Sequence, residues 1–551
     1  MAQQTGLPTP LCLTLTQRNV APEDAGTYLT PTLRDLLPDP RSILDMESAA
    51  ARFLAAVKQN QKIAIFADYD VDGGSSAALL IDWLRQMGQS ATLYVPDRIE
   101  EGYGPNVPAM QMLAKDHDLI VCVDCGTLSH EPIAAAKDAE VIVLDHHLGG
   151  ETLPPALAVV NPNRQDESGD LAHLCAASVV FLMLVEAGRQ LREAGRKGPD
   201  LMGMLDLVAL ATVADVAPLL GVNRAFVRQG LKVMATRGRP GLAALADVAR
   251  LDRAPSSQTL GFAFGPRVNA GGRIGKADLG ARLLSTTDPH EASSMAEKLD
   301  QLNSERRAIE EQVRMAALEQ AEERGLDAPL VWAAGEGWHP GVVGIVASRL
   351  KEATNRPAIV IGLDDNEGKG SGRSVSGIDL GAQIQRLAHE GLLLKGGGHK
   401  MAAGLTVARD KLEEAMARLS ELLAKQGADE LGPADLRLDG ILMPGAATVE
   451  LVEQLEDAGP FGASSPAPKF AFPDMQIFFT RQVGSGHLKL TFGDSTGPRL
   501  DAIAFGAYDT PLGKELSDHR GRRFHLAGRL DLNTWGGRTS VQLRLEDAAE
   551  A

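Results

Sequence analysis

The sequence predicts an α/β chain in four parts: a parallel, doubly wound first domain, a long connecting helix, a smaller α/β domain and a terminal β-barrel. Apolar runs over 62–67, 119–123 and 140–144 alternate with helical patterns, as strands of a parallel sheet do. Between Asp288-Pro289 and Gly325, the apolar residues Met295, Leu299, Leu302, Ile309, Val313 and Ala316 recur at helical intervals. That predicts one helix of about 36 residues and about 54 Å, too long for an ordinary core helix and suited to a strut between domains. Beyond residue 460 the pattern turns to short alternating stretches, and eight of the fourteen Phe lie there. Such stretches suit a small barrel of the oligonucleotide-binding type.

At 551 residues, 44% hydrophobic and 23% charged, the chain can build several packed cores. The divisions expected are an N-terminal arm over 1–45, a first domain over 46–286, the connecting helix over 287–326, a second domain over 327–428 and the barrel over 429–551. A net charge of −17 argues against a surface coated in basic residues, while leaving room for a local basic groove. Four Cys in this length make no disulfide framework. No apolar run reaches a membrane span and no signal peptide is recognisable, so no membrane association and a cytoplasmic location are expected.

The arm is expected to place short helices on the first domain, and Glu47–Gln59 reads as the first solid helix. The strand over 62–67 ends in Asp68, Asp70 and Asp72, followed by Gly73, Gly74, Ser75 and Ser76. Ser75 or Ser76 is the expected N-cap of a helix over Ala77–Met87. A strand over Ala91–Val95, a loop holding Arg98 and a helix over Val107–Lys115 come next. The following runs end in Asp124 and in Asp145, His146 and His147, with a helix around Pro132–Lys137 between them. The apolar stretch Leu205–Val216 reads as helical and carries Asp215 near its end.

These positions carry the chemistry. Strand ends share one edge of a parallel sheet, which is where ligands bind. Three carboxylates in one turn repel one another unless cations neutralise them. An EF-hand is excluded, because no Glu stands at the twelfth position from Asp68. Asp215 alone reads as a helix-end residue; beside the other clusters it becomes a fourth ligand candidate. Carboxylates with imidazole suit Mn²⁺, Mg²⁺ or Zn²⁺, and the preponderance of Asp favours the first two. Cys122 and Cys125 read as core thiols, with alternation sending them to opposite faces.

The set Asp68-Tyr-Asp-Val-Asp-Gly73, Val123-Asp-Cys-Gly126, Asp145-His-His147 and Thr212-Val-Ala-Asp215 resembles the four motifs of the DHH phosphoesterase superfamily. The later motifs point to its RecJ branch, the single-strand-specific 5′→3′ DNA exonucleases. The resemblance implies two Mn²⁺ or Mg²⁺ ions. Asp70 and Asp124 would hold one, with Asp68 nearby; Asp72, Asp124, His146 and Asp215 would hold the other. Asp124 would then bridge them, and His147 would face the substrate phosphate. The pyrophosphatase branch carries a His four residues before the middle Asp, where this chain has Phe66.

Gly261–Gly275 reads as a glycine-rich loop presenting Arg267, Asn269 and Arg273, and it resembles the backbone-contacting Pro-Arg-x-Asn-Ala-x-Gly-Arg segment of that branch. Arg306 and Arg307 of the long helix read as a solvated face. In the second domain, Gly368–Ser376 and Gly396–Gly404 read as flexible loops and backbone nests suited to a terminal phosphate. They resemble the DHH-associated domain, which implies Ser371, Arg373 and Arg98 on a 5′-phosphate, with His339 and His399 close by. In the last part, Gly484-Ser-Gly486 and Trp535-Gly-Gly537 read as hairpin turns. Arg481, Lys489, Arg499, Arg520, Arg522, Arg523, Arg529 and Arg538 interleave with aromatics, as a single-strand-binding surface requires.

The resemblance implies a monomeric exonuclease that degrades single-stranded DNA from a 5′ end to 5′-mononucleotides in repair and recombination. A single-strand-binding protein and a helicase are its candidate partners. An oligoribonuclease or cyclic-dinucleotide phosphodiesterase of the same superfamily, and a non-catalytic DNA-binding scaffold, stand as alternatives. The terminal barrel argues against the former and the intact ligand set against the latter.

Overall fold

The computed structural model describes residues 1–551 apart from Ile99, Pro433, Gly536 and the side chain of Trp535. The first sheet contains β1 (Ile63–Ala67), β2 (Ala91–Tyr94), β3 (Leu119–Val123), β4 (Glu140–Leu144) and β5 (Ala158–Val160). Its order is β2-β1-β3-β4-β5 with every pairing parallel. One apolar cluster lies on the face of Ile65, Val121 and Ile142, and another on the face of Phe66, Cys122 and Val143, as a doubly wound sheet requires. Phe66 is fully buried there, its ring centroid 5.3 Å from that of Tyr94, so it serves the core. β5 escaped the sequence reading because a three-residue strand carries no periodic signal.

The helix after the Asp turn begins at Val71, not near Ala77, and its N-cap is Asp70, not a serine. The Asp70 carboxylate accepts from the amides of Asp72 and Gly73 at 2.8 and 3.1 Å. Cys122 and Cys125 are buried in the same cluster, contrary to the alternation expected. Alternation stops because Asp124 between them adopts φ 60°.

Pro289–Arg324 is a single helix of 36 residues, capped by Asp288. Arg306 is buried on it, pairing with Glu310 at 2.7 Å, so it is not a solvated face. The second sheet, β6 (Val331–Glu336), β7 (Ala358–Asp364), β8 (Glu367–Arg373), β9 (Lys395–His399) and β10 (Ala402–Ala408), runs in the order β6-β7-β8-β10-β9. The glycine-rich segments expected as loops are therefore largely strands. Gly368, Gly370 and Gly372 lie against Ile361, Leu405 and Leu380, so their bare backbone admits close packing instead of a turn.

The last sheet contains β11 (Gly440–Ile441), β12 (Phe470–Val483), β13 (His487–Gly493), β14 (Arg499–Ala504), β15 (Arg523–Trp535) and β16 (Arg538–Glu550). Besides the order β11-β12-β13-β14-β16-β15, β12 also pairs with β15, which closes a five-stranded barrel. Gly484-Ser-Gly486 makes the expected hairpin, whereas the Gly536 of the second turn lies outside the described residues. Phe470, Phe472, Phe492 and Phe524 fill the barrel core, leaving Phe479 and Phe505 exposed. Lys489, Arg520, Arg522 and Arg523 face acidic partners.

The arm is not simply a cover for the first domain. Leu11, Leu15 and Ala25 complete the barrel's core, while Leu33, Leu36 and Leu37 pack against the first domain. Beside that bridge, buried Arg224 of the first domain donates to the carbonyls of Tyr28, Ala458 and Gly459 at 3.1, 2.9 and 2.8 Å. No helix among the described residues is long and apolar enough to cross a membrane.

Candidate metal centre and phosphate pocket

Ala67, Val123, Leu144 and Val160 are register partners across the first sheet. The next residue on each strand is Asp68, Asp124, Asp145 or Asn161, so these polar groups stand in a row along the carboxyl edge. The left-handed turn at Asp124 re-aims its carboxylate at that edge. The turn over Asp68 is closed by Gly73, where an added Cβ would lie 2.4 Å from the Asp68 carbonyl oxygen.

The ligand atoms converge. Groups within 4.8 Å of one another are Asp68/Asp70/Asp124, Asp72/His146/Asp215 and Asp124/His146/His147. His146 Nε2 lies 3.3 Å from Asp124 Oδ1, 3.7 Å from Asp72 Oδ2 and 3.8 Å from Asp215 Oδ2. Asp72 is fixed by the amides of Ala176 and Ala177, at 2.7 and 2.8 Å, at the start of the helix Ala176–Glu193. Burial, reinforced by neighbouring carboxylates, raises Asp68 and Asp124 well above the usual range. Burial and then Asp72 and Asp70 push Asp215 up to about 9.

Asp68 Oδ1 and Asp124 Oδ1 are buried without a hydrogen-bond partner. Oxygens that are desolvated, without a hydrogen bond and anion-crowded fit a divalent cation, and a carboxylate set with one imidazole fits Mn²⁺ or Mg²⁺. The six residues expected as ligands are thus brought together.

His147 is held differently. Its Nδ1 lies 2.8 Å from Asp145 Oδ1, and Asp145 also accepts from the Thr127 amide. Burial opposes charge on the imidazole, but the Asp145 carboxylate outweighs it and raises His147 to about 9. The Tyr103 hydroxyl, 3.0 Å from His147 Nδ1, donates to the Asp124 carbonyl at 3.0 Å. Asn161 and Asn163 donate to the carbonyls of His147 and His146 at 2.8 and 2.6 Å. Tyr103, Asn161 and Asn163 escaped the sequence reading. The Asn-Pro-Asn triplet was a visible turn signal, but the strand before it was not.

The segment expected as a loop over 261–275 is a π-turn, Leu260–Phe264, running into the helix Gly265–Ile274. Its glycines allow close packing: an added Cβ at Gly272 would lie 2.7 Å from the Tyr69 carbonyl oxygen. Asn269 Oδ1 accepts from the Val71 amide at 3.0 Å, so it braces the Asp turn. Arg267 pairs with Asp300 of the long helix at 2.8 Å and also donates to the Ala263 carbonyl. Arg273 instead reaches the second domain, donating to the Gly341 carbonyl at 2.9 Å.

There the pocket for an anion takes shape. Arg373 at the end of β8 donates to Ser371 Oγ at 3.0 Å, under the helix Pro340–Thr354. Burial, then the charge of Arg98, lowers both Arg273, to about 10, and Arg373. Guanidinium groups gathered at such a cost to their charge make this a candidate anion site. Arg98 sits over Tyr69, 5.2 Å from its ring centroid. His339 caps the helix, its Nδ1 accepting from the Gly341 amide at 3.0 Å. His399 is exposed at the end of β9, in the cross-strand row that runs through Ala402 to Arg373.

Comparison with known proteins matches residues 62–212 to the DHH family, N-terminal domain, 327–425 to the DHHA1 domain and 438–547 to the RecJ OB domain. The single-stranded-DNA-specific exonuclease RecJ of Dickeya dadantii is 41% identical over 539 residues, covering 94% of this chain and 92% of its own. The chain belongs to the RecJ family. The RecJ of Thermus thermophilus in complex with Mn²⁺ superposes with a TM-score of 0.82 at 29% identity, over 100% of this chain and 77% of that one. The same protein's complex with Mg²⁺ gives 0.75 at 28%, over 99% and 75%. The parallel-sheet, DHH-associated and closed-barrel domains expected from the sequence are those of the RecJ family.

Proposed function

We propose that this protein is a metal-dependent exonuclease that degrades single-stranded DNA from its 5′ end to 5′-mononucleotides. The observation that carries the reading is that Arg98 and Arg273 of the first domain, which also holds the carboxylate cluster, line the domain junction toward Ser371 and Arg373 of the second domain, a cationic pocket beside the cluster. A terminal phosphate seated in that pocket would set the next phosphodiester before the cluster. Asp68, Asp70 and Asp124 would hold one divalent ion and Asp72, Asp124, His146 and Asp215 the other. Such ions neutralise phosphoryl charge, lower the pKa of a bound water and stabilise the leaving oxygen.

The chain's own residues do the rest. His147, held in place by its hydrogen bond to Asp145, faces the phosphate as an oriented donor. Asp72, locked by two amides, keeps the second ligand set from rotating. His339 and His399 flank the strand near the pocket. Exposed Phe479 and Phe505, the latter with Arg544 4.8 Å from its centroid, offer stacking surfaces on the barrel. A monomer acting in the cytoplasm with a single-strand-binding protein and a helicase completes the reading, as do the domain divisions given above.

The test is substrate class. With Mn²⁺, a 5′-phosphorylated DNA single strand should be consumed much faster than the matching RNA, a blunt duplex or a cyclic dinucleotide. Preferred turnover of short RNA or of the cyclic dinucleotide would refute the proposal.

A further inference from the structure

Two large apolar side chains stand in solvent on elements next to the carboxylate cluster, Val216 following Asp215 and Phe262 on the turn that packs against the same helix end. Phe262 is 74% exposed and Val216 69% exposed. Val216 directly follows Asp215 and is held at φ 59°, a region that β-branched residues avoid. Phe262 lies on the π-turn Leu260–Phe264, and such turns concentrate at functional sites. The two elements touch: added Cβ atoms at Gly261 and Gly265 would lie 3.5 Å from Val213 Cγ1 and 3.3 Å from Ala214 Cβ.

The helix that continues from the π-turn gives this place a direction. Phe262, Pro266, Asn269 and Arg273 recur at four, three and four residues, so they share one stripe. Arg273 ends the stripe at the phosphate pocket, bonded to Gly341. Asn269 marks its middle, bonded to Val71 in the Asp turn. Phe262 begins it, eleven residues before Arg273 and about 16 Å along the axis at helical rise. A strand whose 5′-phosphate sits at the Arg273 end and whose first bond lies at the Asp turn continues toward Phe262.

We propose that Phe262, with Val216 beside it, forms a nucleobase subsite on the 3′ side of the scissile bond, where one base of the single strand stacks. The inference rests on the 5′-exonuclease reading. An aromatic face in that path binds any base, because every base has a π-face, and a paired base has its faces covered by its neighbours in the duplex. The subsite holds the strand in line while the terminal nucleotide is cut, and it favours single strands without reading sequence.

The experiment uses the full-length protein and 5′-phosphorylated single strands carrying one abasic residue at successive positions, read by kcat/KM with Mn²⁺ and by anisotropy with Ca²⁺. The unaltered protein should show a drop at one position downstream of the first bond. Phe262→Ala should lose roughly ten- to a hundredfold on the intact strand, the range of one stacked base, and show no further loss at that position. Phe262→Trp should restore both. If Phe262→Ala keeps the same abasic drop as the unaltered protein, or matches it on intact strands, the subsite is elsewhere. An unaltered protein that cuts no single strand overturns the parent reading and this one with it, whereas normal cutting with a flat abasic profile overturns this one alone.

Discussion

Arg273 Nη1 donates to the carbonyl of Gly341 at 2.9 Å, tying the helix that braces the Asp turn to the first turn of the helix above the phosphate pocket. Each partner sits on a helix packed into its own domain. The bond therefore ties the Asp turn to the second domain; on the proposed reading, it sets how far a 5′-phosphate would lie from the carboxylates and gives a physical reason for cutting one unit from an end.

Asp124→Ala should nearly abolish turnover. Asp124 is the one carboxylate common to two of the converging groups. Its loss should lower single-turnover rates at saturating Mn²⁺ by roughly a thousandfold or more, equivalent to several kcal/mol of charge stabilisation. A rate within about tenfold of the unaltered protein would remove the bridging role.

Arg373→Ala should weaken the preference for a 5′-phosphate. A charge-assisted contact to phosphate disappears, while the metal cluster in the other domain is untouched. Paired rates on 5′-phosphate and 5′-hydroxyl strands check this; unchanged discrimination would move the pocket toward Arg98.

Without metal, stability should fall as pH rises from about 4 to 9. Asp215 is raised to about 9, so between its unfolded value and that point the folded state binds more protons than the unfolded state. His147, also raised to about 9, adds a contribution of the same sign above its unfolded value near 6.5. Mn²⁺ displaces the cluster's protons, so its stabilising shift in Tm should be larger at pH 8 than at pH 5.5. Equal shifts at both pH values would show that the carboxyls are already ionised.

Much of this centre was legible because its residues are tied to local pattern. Apolar runs ending in Asp68, Asp124 and Asp145 mark strand ends, and strand ends share an edge. What was not legible is what glycine conceals. A glycine looks the same in the sequence whether it permits a turn, as at Gly484, or a close approach, as at Gly272 and Gly370. Hence two glycine-rich stretches that lie in strands, and one that is a helix, were expected as loops. The N-cap shifted because Asp70 already caps the amides of Asp72 and Gly73, so the helix starts before Ser75 and Ser76, which lie inside it. The docking of Leu11 and Leu15 in a barrel more than 400 residues away leaves no local trace at all.

Arg224→Ala should loosen the barrel from the first domain. The carbonyls of Ala458 and Gly459 would lose their buried donor, costing on the order of 2–4 kcal/mol. Denaturant unfolding should become biphasic, with barrel tyrosine fluorescence changing first and affinity for long strands falling more than for very short ones. A single transition of unchanged midpoint would show that the arm alone holds the barrel.

The most direct measurement is a time course with Mn²⁺ on one single strand labelled at either end. Release of the label as a mononucleotide at the earliest times from the 5′-labelled strand, with the 3′ label persisting in progressively shorter strands, is the predicted result. Early mononucleotide release from the 3′-labelled strand, or internal fragments from both, would contradict a pocket that measures from a 5′-phosphate.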